Sequence, residues 1–586
     1  MHPNPQPSEI MFSPLCVPLF GERLRGGWRQ TLDAASQSFV RPPPLVALGH
    51  LLDWGDGAVS AMHIGRHFQY NVLDGEVTHP MVHRLAAISS DRESSGNAAR
   101  KLADLMDTCG FGDLISEGEG RLVTHMVLPS RLIEMLQTKF PTKFATLLGA
   151  AESKLQTFWS RFRAHPDFQK HVASFPALAH LQEHDWSKMV PLTFHEDAGP
   201  YIKGASVNII SFTGLLGRGP EKTSQYLVAS YIKEGVADHA DVVAMWAPIL
   251  ADMQKLVTEG IGGYRFLLLF MKADLEVRSN SWGLSSYNGT HPCTECICNR
   301  ADIPWTELSG EAKWRKLPPL TKTTYFARAR SPLHPVLGSP FAWRWFCPLD
   351  LMHIADCNGI TNIAAGSVIK PLVFGEHSMG RTQEQRLATL NKKLSEFYAE
   401  RPGHSRMPKL RVGNLVSNGW SVLCGTTVKA ANTRGLSPFL VSLAEAYHAD
   451  EGDEYNRLVT RLVRCLNRIY VLLYTADVFL SPQELGEFQR LLLRFGAISQ
   501  QLREIARGRG AAEWKLVPKT HMFMHMSDLA NLLNPRWVQN YSEESQVGST
   551  TLVWSRTARG RYRKAAQRMV LLKRLVALVV RLEGGL

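Results

Sequence analysis

Hydrophobic residues recur along the chain with two different spacings, and the change from one to the other divides the sequence. In residues 97–171 apolar positions are spaced by three and four, as at Leu102 and Leu105, which predicts amphipathic helices. In residues 189–274 short apolar runs punctuated by glycine and charge replace that spacing, which predicts strands. The helical spacing returns in residues 364–507. The order predicts an α/β core flanked by helical regions.

The predicted core combines strands with one long helix. Val190–Phe194 and Ser206–Phe212 are apolar runs of strand length. Tyr264–Met271 is a third run, and its nearly continuous hydrophobicity indicates burial on both faces of a sheet. Residues 240–258 present an apolar surface at helical spacing, with Pro248 at a point where proline kinks or divides a helix. Strands followed by a helix and a buried strand are typical of an α/β sheet.

These patterns divide the chain into five regions. Tyr455–Leu473 reads as an amphipathic helix, and Ser481 and Pro482 read as the N-cap and first residue of another. Residues 1–45 contain many prolines without a sustained period and are predicted to be flexible. The predicted regions are the flexible residues 1–45, a helical N-terminal module at 46–185, the first part of the core at 186–363, a helical insertion at 364–510, and the completion of the core with a basic C-terminal helix at 511–586.

Composition suggests the kind of partner and the compartment. Lys and Arg outnumber Asp and Glu by 66 to 53, giving a net charge of +13 and a pI near 9.3, which favours a polyanionic partner without requiring one. The nine cysteines do not form the pattern of a disulfide framework, and we find no signal peptide. No apolar run approaches the roughly 20 residues that span a bilayer. We therefore expect a soluble intracellular protein.

Three acidic positions carry the candidate chemistry. Asp197 follows the predicted strand Val190–Phe194, and Asp274 follows Tyr264–Met271, where a rigid scaffold can hold a carboxylate while it reaches solvent and metal. The third position is Glu544, with the adjacent Glu543 as the alternative. Such carboxylates bind Mg²⁺ or Mn²⁺, and two ions about 4 Å apart can activate a water or a 3′-hydroxyl. Taken alone, each acid also fits a solvated turn or helix start.

A cysteine-rich segment predicts a second metal site. Cys293, Cys296 and Cys298 lie close together after a histidine, and thiolates and imidazole suit a tetrahedral Zn²⁺. A single CxxC pair also occurs in redox chemistry. His353, one helical turn after Asp350, is predicted either to complete the zinc site or to touch a substrate near the acids. An ordinary core histidine is the alternative.

Two further histidines share a face if their segment is helical. His521 and His525 are four residues apart, a spacing that places side chains together on a helix. We expect them to position the nearby acid or to pack in the core, because two histidines alone make a poor zinc site.

The C-terminal region carries a run of basic residues. Such a run matches the electrostatic footprint of DNA-backbone binding, although a solvated helix face is the usual explanation for charge runs. The apolar positions between Val570 and Val580 predict that part of this helix also packs on the core. The candidate DNA-binding residues are Arg556, Arg559, Arg561, Arg563 and Lys564, and the basic run continues through Arg568, Lys573, Arg574 and Arg581.

In this order along the chain, the motifs resemble the transposases of the CACTA and Kyakuja-Dileera-Zisupton groups over roughly residues 150–560. The resemblance rests on six short matches, which are His195–Gly199, Ala273–Asp274, the CxxC of Cys293 and Cys296, Asp350–His353, Pro518–His521 and Glu543–Glu544. It implies an RNase H-like fold with Asp197, Asp274 and Glu544 as catalytic acids on two Mg²⁺ or Mn²⁺ ions. About 270 residues separate Asp274 from Glu544, too many for a loop, so a helical insertion is expected.

The resemblance also implies a function and its partners. It implies cleavage and strand transfer on double-stranded DNA, at transposon ends and at a target, by a nuclear protein that assembles from at least two copies. Ala198 and Ala273 stand where the family more often has glycine, and no separate end-binding module precedes the core. A domesticated or decayed relative that binds DNA without cutting it is therefore the alternative. A third reading is an unrelated zinc-stabilised helical protein.

Overall fold

The structure is a computed structural model, and it is of mixed α/β class with one mixed sheet of four strands, which confirms the predicted class at that level. It describes residues 51–64, 85, 87–88, 95–118, 122–123, 125–375, 379–402, 405–448, 452–557 and 563–584. The segment 1–45, predicted to be flexible, lies outside these residues. No helix in the described part of the chain combines the length and hydrophobicity needed to cross a membrane.

A helical region precedes the sheet. Several of its helices begin with proline, which suits the first helical position because its missing N–H would have no partner there. Trp159 packs against Phe162, Phe168 and Trp186, and its indole donates to the carbonyl of Met189 at 2.6 Å, which ties this region to the sheet. The elements are α1 Ser95–Thr108, β1 Ser116–Glu117, β2 His125–Met126, α2 Pro129–Lys139, α3 Pro141–Leu148, α4 Glu152–Phe162, α5 Pro166–Ser174, α6 Pro176–Ala179 and α7 Glu183–Trp186.

The central sheet has the strand order β5-β4-β3-β6. Its first three strands form an antiparallel meander, whereas β6 lies parallel to β3 on the other side. The strands are β3 Met189–Ile202, β4 Ala205–Gly214, β5 Tyr226–Ile232 and β6 Arg265–Lys272. The predicted end of the first strand at Phe194 was wrong, because β3 continues to Ile202 and Asp197 lies within it. The sequence analysis missed β5.

One long helix makes the crossover between the antiparallel part and β6. A parallel neighbour requires such a connection, and α9 His239–Thr258, which follows the short α8 Glu221–Ser224, supplies it by packing on β6. This helix was predicted as residues 240–258, and it contains Pro248 without being divided. Asp238 caps it by accepting a hydrogen bond from the backbone of Asp241.

A long, mostly helical segment separates β6 from the end of the core. The predicted helices of this segment are present, and the Ser481 hydroxyl caps α19 as expected. The helices α18 and α19 pack on each other and expose arginines to solvent. The elements are α10 Leu275–Asn280, α11 Lys322–Phe326, α12 Pro335–Gly338, α13 Leu351–Ala355, α14 Ile360–Phe374, α15 Gln383–Ala399, β7 Val416–Ser417, β8 Trp420–Ser421, α16 Ala430–Arg434, α17 Ser437–Tyr447, α18 Glu454–Thr475 and α19 Pro482–Gly508.

The last helices return to the sheet. They are α20 Pro518–Met524, α21 Met526–Leu532, α22 Tyr541–Thr557 and α23 Arg563–Gly584. The helix α22 packs on β3, and α23 packs on β5, β2 and α1. The expected packing of the apolar stretch Val570–Val580 is therefore confirmed, because these residues are buried.

Part of the basic run in the C-terminal region is buried in the described part of the chain. Arg574 and Arg581 are buried and form ion pairs with Asp56, at 3.7 Å for Arg574. Arg556 donates to the carbonyl of Gly57. Arg574 and Arg581 are engaged inside the protein because the apolar face of α23 carries its flanking basic residues into the core with it, whereas Arg556 lies on α22 and is exposed. Arg559 and Arg561 lie outside the described residues, as do the side chains of Arg563 and Lys564.

Candidate metal centres

The parallel strands bring the two predicted aspartates to one edge of the sheet. His195 on β3 is the register partner of Lys272 on β6. Asp197 and Asp274 each follow two residues later, so they occupy equivalent positions on neighbouring strands. Asp274 also caps α10, because its Oδ1 accepts the backbone N–H of Val277 at 2.6 Å. That bond fixes one carboxylate oxygen and leaves the other free for a ligand.

Glu544 reaches the same place from the far end of the chain. It lies in the first turn of α22, which packs on β3. Ligand atoms of His195, Asp197 and Glu544 all lie within 4.8 Å of one another. The structure therefore brings together carboxylates that are widely separated in sequence.

The negative charges at this place repel one another. The residues concerned, called here the carboxylate cluster, are Asp197, Asp274 and Glu544. Burial raises the pKa of Asp197 well above its usual range, and the neighbouring Glu544 and Asp274 raise it further. Burial also raises the pKa of Glu544, and the charge of Asp274 adds to that effect. Like charges held together out of water are costly unless a cation compensates them. The cluster therefore has the electrostatics of a cation site.

Glu543 has a different role from its neighbour. It is buried and forms an ion pair with the buried Lys272. Burial alone would raise the pKa of Glu543, but Lys272 and a hydrogen bond from Ser542 keep it below its usual value. The carboxylate is thus already neutralised, so Glu544 is the residue that remains available to a metal.

His353 lies at the carboxylate cluster and not at the cysteines. Asp350 holds its Nδ1 at 2.5 Å, and its Nε2 lies 3.4 Å from Glu544 Oε1. Burial opposes a charge on His353, yet the Asp350 carboxylate, with Asp274 and Asp197, raises its pKa. Asp350 also accepts the backbone N–H of Asn540 at 3.2 Å, which anchors the approach to α22. The prediction that His353 completes a zinc site is therefore wrong in this structure, because the Asp350 contact turns the ring toward the acids.

Two residues at the cluster were missed from the sequence. His195 is buried, and both of its ring nitrogens lack a hydrogen-bond partner among the described residues. Burial lowers the pKa of His195 to about 3, so the ring is neutral and can accept. The alternation of side chains along a strand places it on the same face as Asp197, and that was the available signal. The other is Lys519. Burial lowers the pKa of Lys519, and the nearby carboxylates of Asp274 and Asp350 partly offset that effect.

A second cluster gathers two cysteines and two histidines. Ligand atoms of Cys293, Cys296, His521 and His525 lie within 4.8 Å of one another, and all four residues are buried. Cys296 Sγ lies 3.2 Å from His521 Nε2, and the two histidine Nε2 atoms are 3.3 Å apart. This cluster, called here the Cys/His cluster, could hold a metal ion. Cys298 is buried nearby but is not part of it.

The outer ring nitrogens of the two histidines are also held. His521 Nδ1 lies 3.1 Å from the carbonyl of Trp305, and His525 Nδ1 lies 2.7 Å from Asp528 Oδ2. Such contacts fix the ring orientation of histidines that bind metal. His521 and His525 therefore face the cysteines, whereas the sequence analysis expected them to position the acid or pack in the core. The spacing of four was read correctly, but the distant cysteines could not be placed beside it.

A buried arginine connects the two clusters. Arg278 lies on α10, which Asp274 caps. It donates to the carbonyl of Pro348 at 2.6 Å and contacts Glu295, between Cys293 and Cys296, at 3.3 Å. A second buried arginine, Arg344, also pairs with Glu295 at 2.9 Å. The Cys/His cluster and the strand end that carries Asp274 are therefore parts of one rigid network.

The chain was also compared with known proteins. No protein-family model matches it, and no curated protein matches it significantly.

Proposed function

We propose that the chain is the catalytic core of a cut-and-paste DNA transposase with an RNase H-like fold. The observation that carries the proposal is the approach of Asp197 and Glu544, which are far apart in sequence but have ligand atoms within 4.8 Å of each other, with Asp274 near enough to raise the pKa of both. An unrelated helical protein gives no reason for these like charges to converge at a place where burial raises the pKa of Asp197 and Glu544. The motif order described above supplies the specific reaction class.

The sheet supports the fold part of the proposal. Three antiparallel strands followed by a crossover helix and a parallel strand beside the first agree with the arrangement that the resemblance implies. The acids lie on the first strand, after the last strand and on a helix packed against the first strand. Interruption between the second and third acids accounts for the helical segment that includes α14–α19.

The donor set of the carboxylate cluster fits Mg²⁺ or Mn²⁺. Oxygen ligands are what these hard cations prefer, and the buried Glu544 Oε1 accepts no hydrogen bond from the described residues, although the His353 ring lies 3.4 Å away. Asp197, Asp274 and Glu544 would hold the ions, with His195 as a further ligand. Two such ions activate a water or a 3′-hydroxyl and stabilise the departing oxygen.

The protein's own groups would orient the DNA strand at this site. His353, whose protonated form is stabilised by Asp350, would donate a hydrogen bond to a phosphate oxygen. The Lys519 ammonium donates to the carbonyl of Cys357 at 2.6 Å, which holds its positive charge in place near Asp274. Both cations reduce the repulsion between a phosphodiester and the carboxylates.

Cleavage of DNA by the purified chain tests this proposal. We expect a labelled duplex to be nicked in Mn²⁺ or Mg²⁺ and not in EDTA, and Asp274→Ala to abolish the reaction. Glu276→Gln is the matched control, because Glu276 is only two residues away but pairs with Lys233 at the surface. Salt-sensitive DNA binding without nicking would favour a relative that binds DNA without cutting it. That alternative is motivated by Ala198 and Ala273, which replace glycines of the family pattern. Equal nicking by wild type and Asp274→Ala would refute the assignment of the site.

We further propose that the Cys/His cluster holds a structural Zn²⁺. Two thiolates and two imidazoles form a tetrahedral zinc set without an open position, and the held outer nitrogens of His521 and His525 agree with it. Metal analysis should find about one zinc per chain. Cys296→Ala should lose the ion and Cys298→Ala should keep it. Loss of the ion from both variants would return the site to the ligand set predicted from the sequence, which includes Cys298 as well as Cys296.

A further inference from the structure

A large polar cleft lies beside the carboxylate cluster on the same face of the sheet. Its cavity volume is about 1030 Å³. One wall comes from the sheet and the loop after it, including Thr193, Arg218 and Gln225. The opposite wall comes from the helical segment and the approach to α22, including Arg434 and Trp537. The core and the insertion thus build the cleft together.

The Lys272–Glu543 ion pair forms the boundary between this cleft and the carboxylate cluster. Both residues line the cleft. Lys272 is the register partner of His195, whereas Thr193 lies one period earlier on the same face of β3. A strand of nucleic acid whose scissile phosphate lies at Glu544 therefore passes directly over this boundary into the cleft.

Three guanidinium groups face the cleft, two of them held in place. Arg434 and Arg536 lie 5.2 and 4.7 Å from the ring centroid of Tyr474. Arg536 also donates to the Tyr474 carbonyl at 2.7 Å, whereas Arg218 is exposed. None of these three forms an ion pair with an acid among the described residues, so their charge is available for phosphate.

Two acidic residues reduce the positive charge of the cleft. Glu221 and Asp477 line it as well, while the charges of Lys272 and Glu543 cancel. Three guanidiniums therefore face two carboxylates. This modest excess of positive charge suits one or two phosphates better than the long backbone of a duplex.

The interior of the cleft offers groups that suit a nucleobase. Thr193 Oγ1 and Gln225 Oε1 are buried and lack a hydrogen-bond partner in the described part of the chain. Gln225 Nε2 donates to Ser542 Oγ at 3.2 Å, which leaves its Oε1 as an unpaired acceptor within the cleft wall. Trp537 is half-buried and lines the cleft, so part of its ring can stack. Phosphate-binding cations, a stacking surface and free hydrogen-bonding groups together match a nucleotide.

We propose that this cleft binds an unpaired nucleotide of a DNA strand that continues from the carboxylate cluster. Arg218, Arg434 and Arg536 take its phosphates, and Trp537 stacks on its base. The path of the strand rests on the proposed function, whereas the nucleotide chemistry of the cleft does not.

Binding without cleavage tests the inference. Fluorescence anisotropy in EDTA compares a labelled blunt duplex with the same duplex carrying a short single-stranded extension. We expect Trp537→Ala to weaken binding of the extended probe about tenfold, as loss of one base stack does. Arg218→Gln should weaken it severalfold, whereas the blunt duplex should be affected less than about twofold by either change. Asp477→Asn should strengthen binding of the extended probe.

Controls separate the cleft from the fold and from other surfaces. Arg507→Gln removes an exposed charge outside the cleft and should leave both probes unchanged. Trp537→Phe keeps an aromatic ring and should retain most of the binding that Trp537→Ala loses, which excludes misfolding as the cause. Displacement of the probe by free dAMP at micromolar concentration would reassign the cleft to a mononucleotide and overturn the strand part.

Two results would overturn the inference altogether. One is an equal loss for blunt and extended probes in the cleft variants. The other is displacement by polyglutamate as effective as by a single-stranded oligonucleotide, which would make the cleft a site for acidic protein. Because no divalent ion is present, neither result bears on whether Asp197, Asp274 and Glu544 cut DNA.

Discussion

The adjacent glutamates Glu543 and Glu544 should respond to the same substitution in opposite ways. Glu543→Gln leaves the Lys272 ammonium buried, with the Gln539 carbonyl at 3.3 Å as its remaining hydrogen-bond partner among the described residues. Removing one partner of a buried ion pair costs about 3 to 5 kcal/mol, because the other charge stays out of water without compensation. We therefore expect a large fall in the free energy of unfolding for Glu543→Gln.

Glu544→Gln should instead leave stability unchanged or raise it in EDTA. Its charge raises the pKa of Asp197, and the charge of Asp274 raises the pKa of Glu544 in turn, so a neutral amide relieves that repulsion. The same change removes a metal ligand and should abolish DNA cleavage.

Urea unfolding in EDTA followed by circular dichroism measures the stability difference, and nicking in Mn²⁺ measures the activity. The double variant Lys272→Met with Glu543→Gln also removes the Lys272 charge that the single change leaves unpaired. It should regain at least about 2 kcal/mol relative to the sum of the single changes. Equal destabilisation by Glu543→Gln and Glu544→Gln, or cleavage lost only with Glu543→Gln, would refute the assigned roles.

Three further predictions concern the rest of the fold. Burial raises the pKa of Asp356 to about 7, so the folded chain holds this proton more tightly than the unfolded chain, and stability from this group is lost as pH rises from about 4 to 7. Wild type should lose about 3 kcal/mol between pH 5 and 8 that Asp356→Asn does not lose, and a pH-independent difference in urea unfolding between the two would contradict this. Chelation by EDTA should lower the melting temperature of wild type and Cys298→Ala but not that of Cys296→Ala, which already lacks the ion; equal shifts for all three would count against the zinc assignment. Asp56→Ala should cost about 2 kcal/mol in urea unfolding, because it removes the carboxylate that Arg574 and Arg581 share; an unchanged urea midpoint would show that the two arginines need no partner.

The strongly periodic elements were the ones that the sequence could predict. The helices α9, α18 and α19 and the strand β6 were found close to their true bounds, because each presents a long apolar pattern of one period. The strand β3 was cut short because His195, Glu196 and Asp197 are polar residues inside a buried strand. Their burial depends on partners such as Tyr231 and Trp282, which contact Glu196 and which local patterns cannot reveal.

The candidate sites were predictable where local order sufficed. The resemblance offered Asp197, Asp274 and Glu544 as candidates. The structure brings Asp197 and Glu544 together, and Asp274 is near enough to raise the pKa of both. It did not settle Glu543 against Glu544, because that choice depends on Lys272. The roles of the histidines stayed open for a similar reason. Asp350 turns His353 toward the acids, and the fold brings His521 to Cys296 across 225 residues.

The helices α13 and α20 pack against each other, so the chain leaves the core and re-enters it at neighbouring points. A segment with adjoining ends can lengthen, shrink or be exchanged without pulling its host apart. Replacing residues 357–517 with a short linker would thus spare the carboxylates while deleting Arg434 and Tyr474 from their cleft. Under the proposed function, chemistry at the carboxylates and strand selection in the cleft would then lie on segments that evolution or an engineer can vary separately.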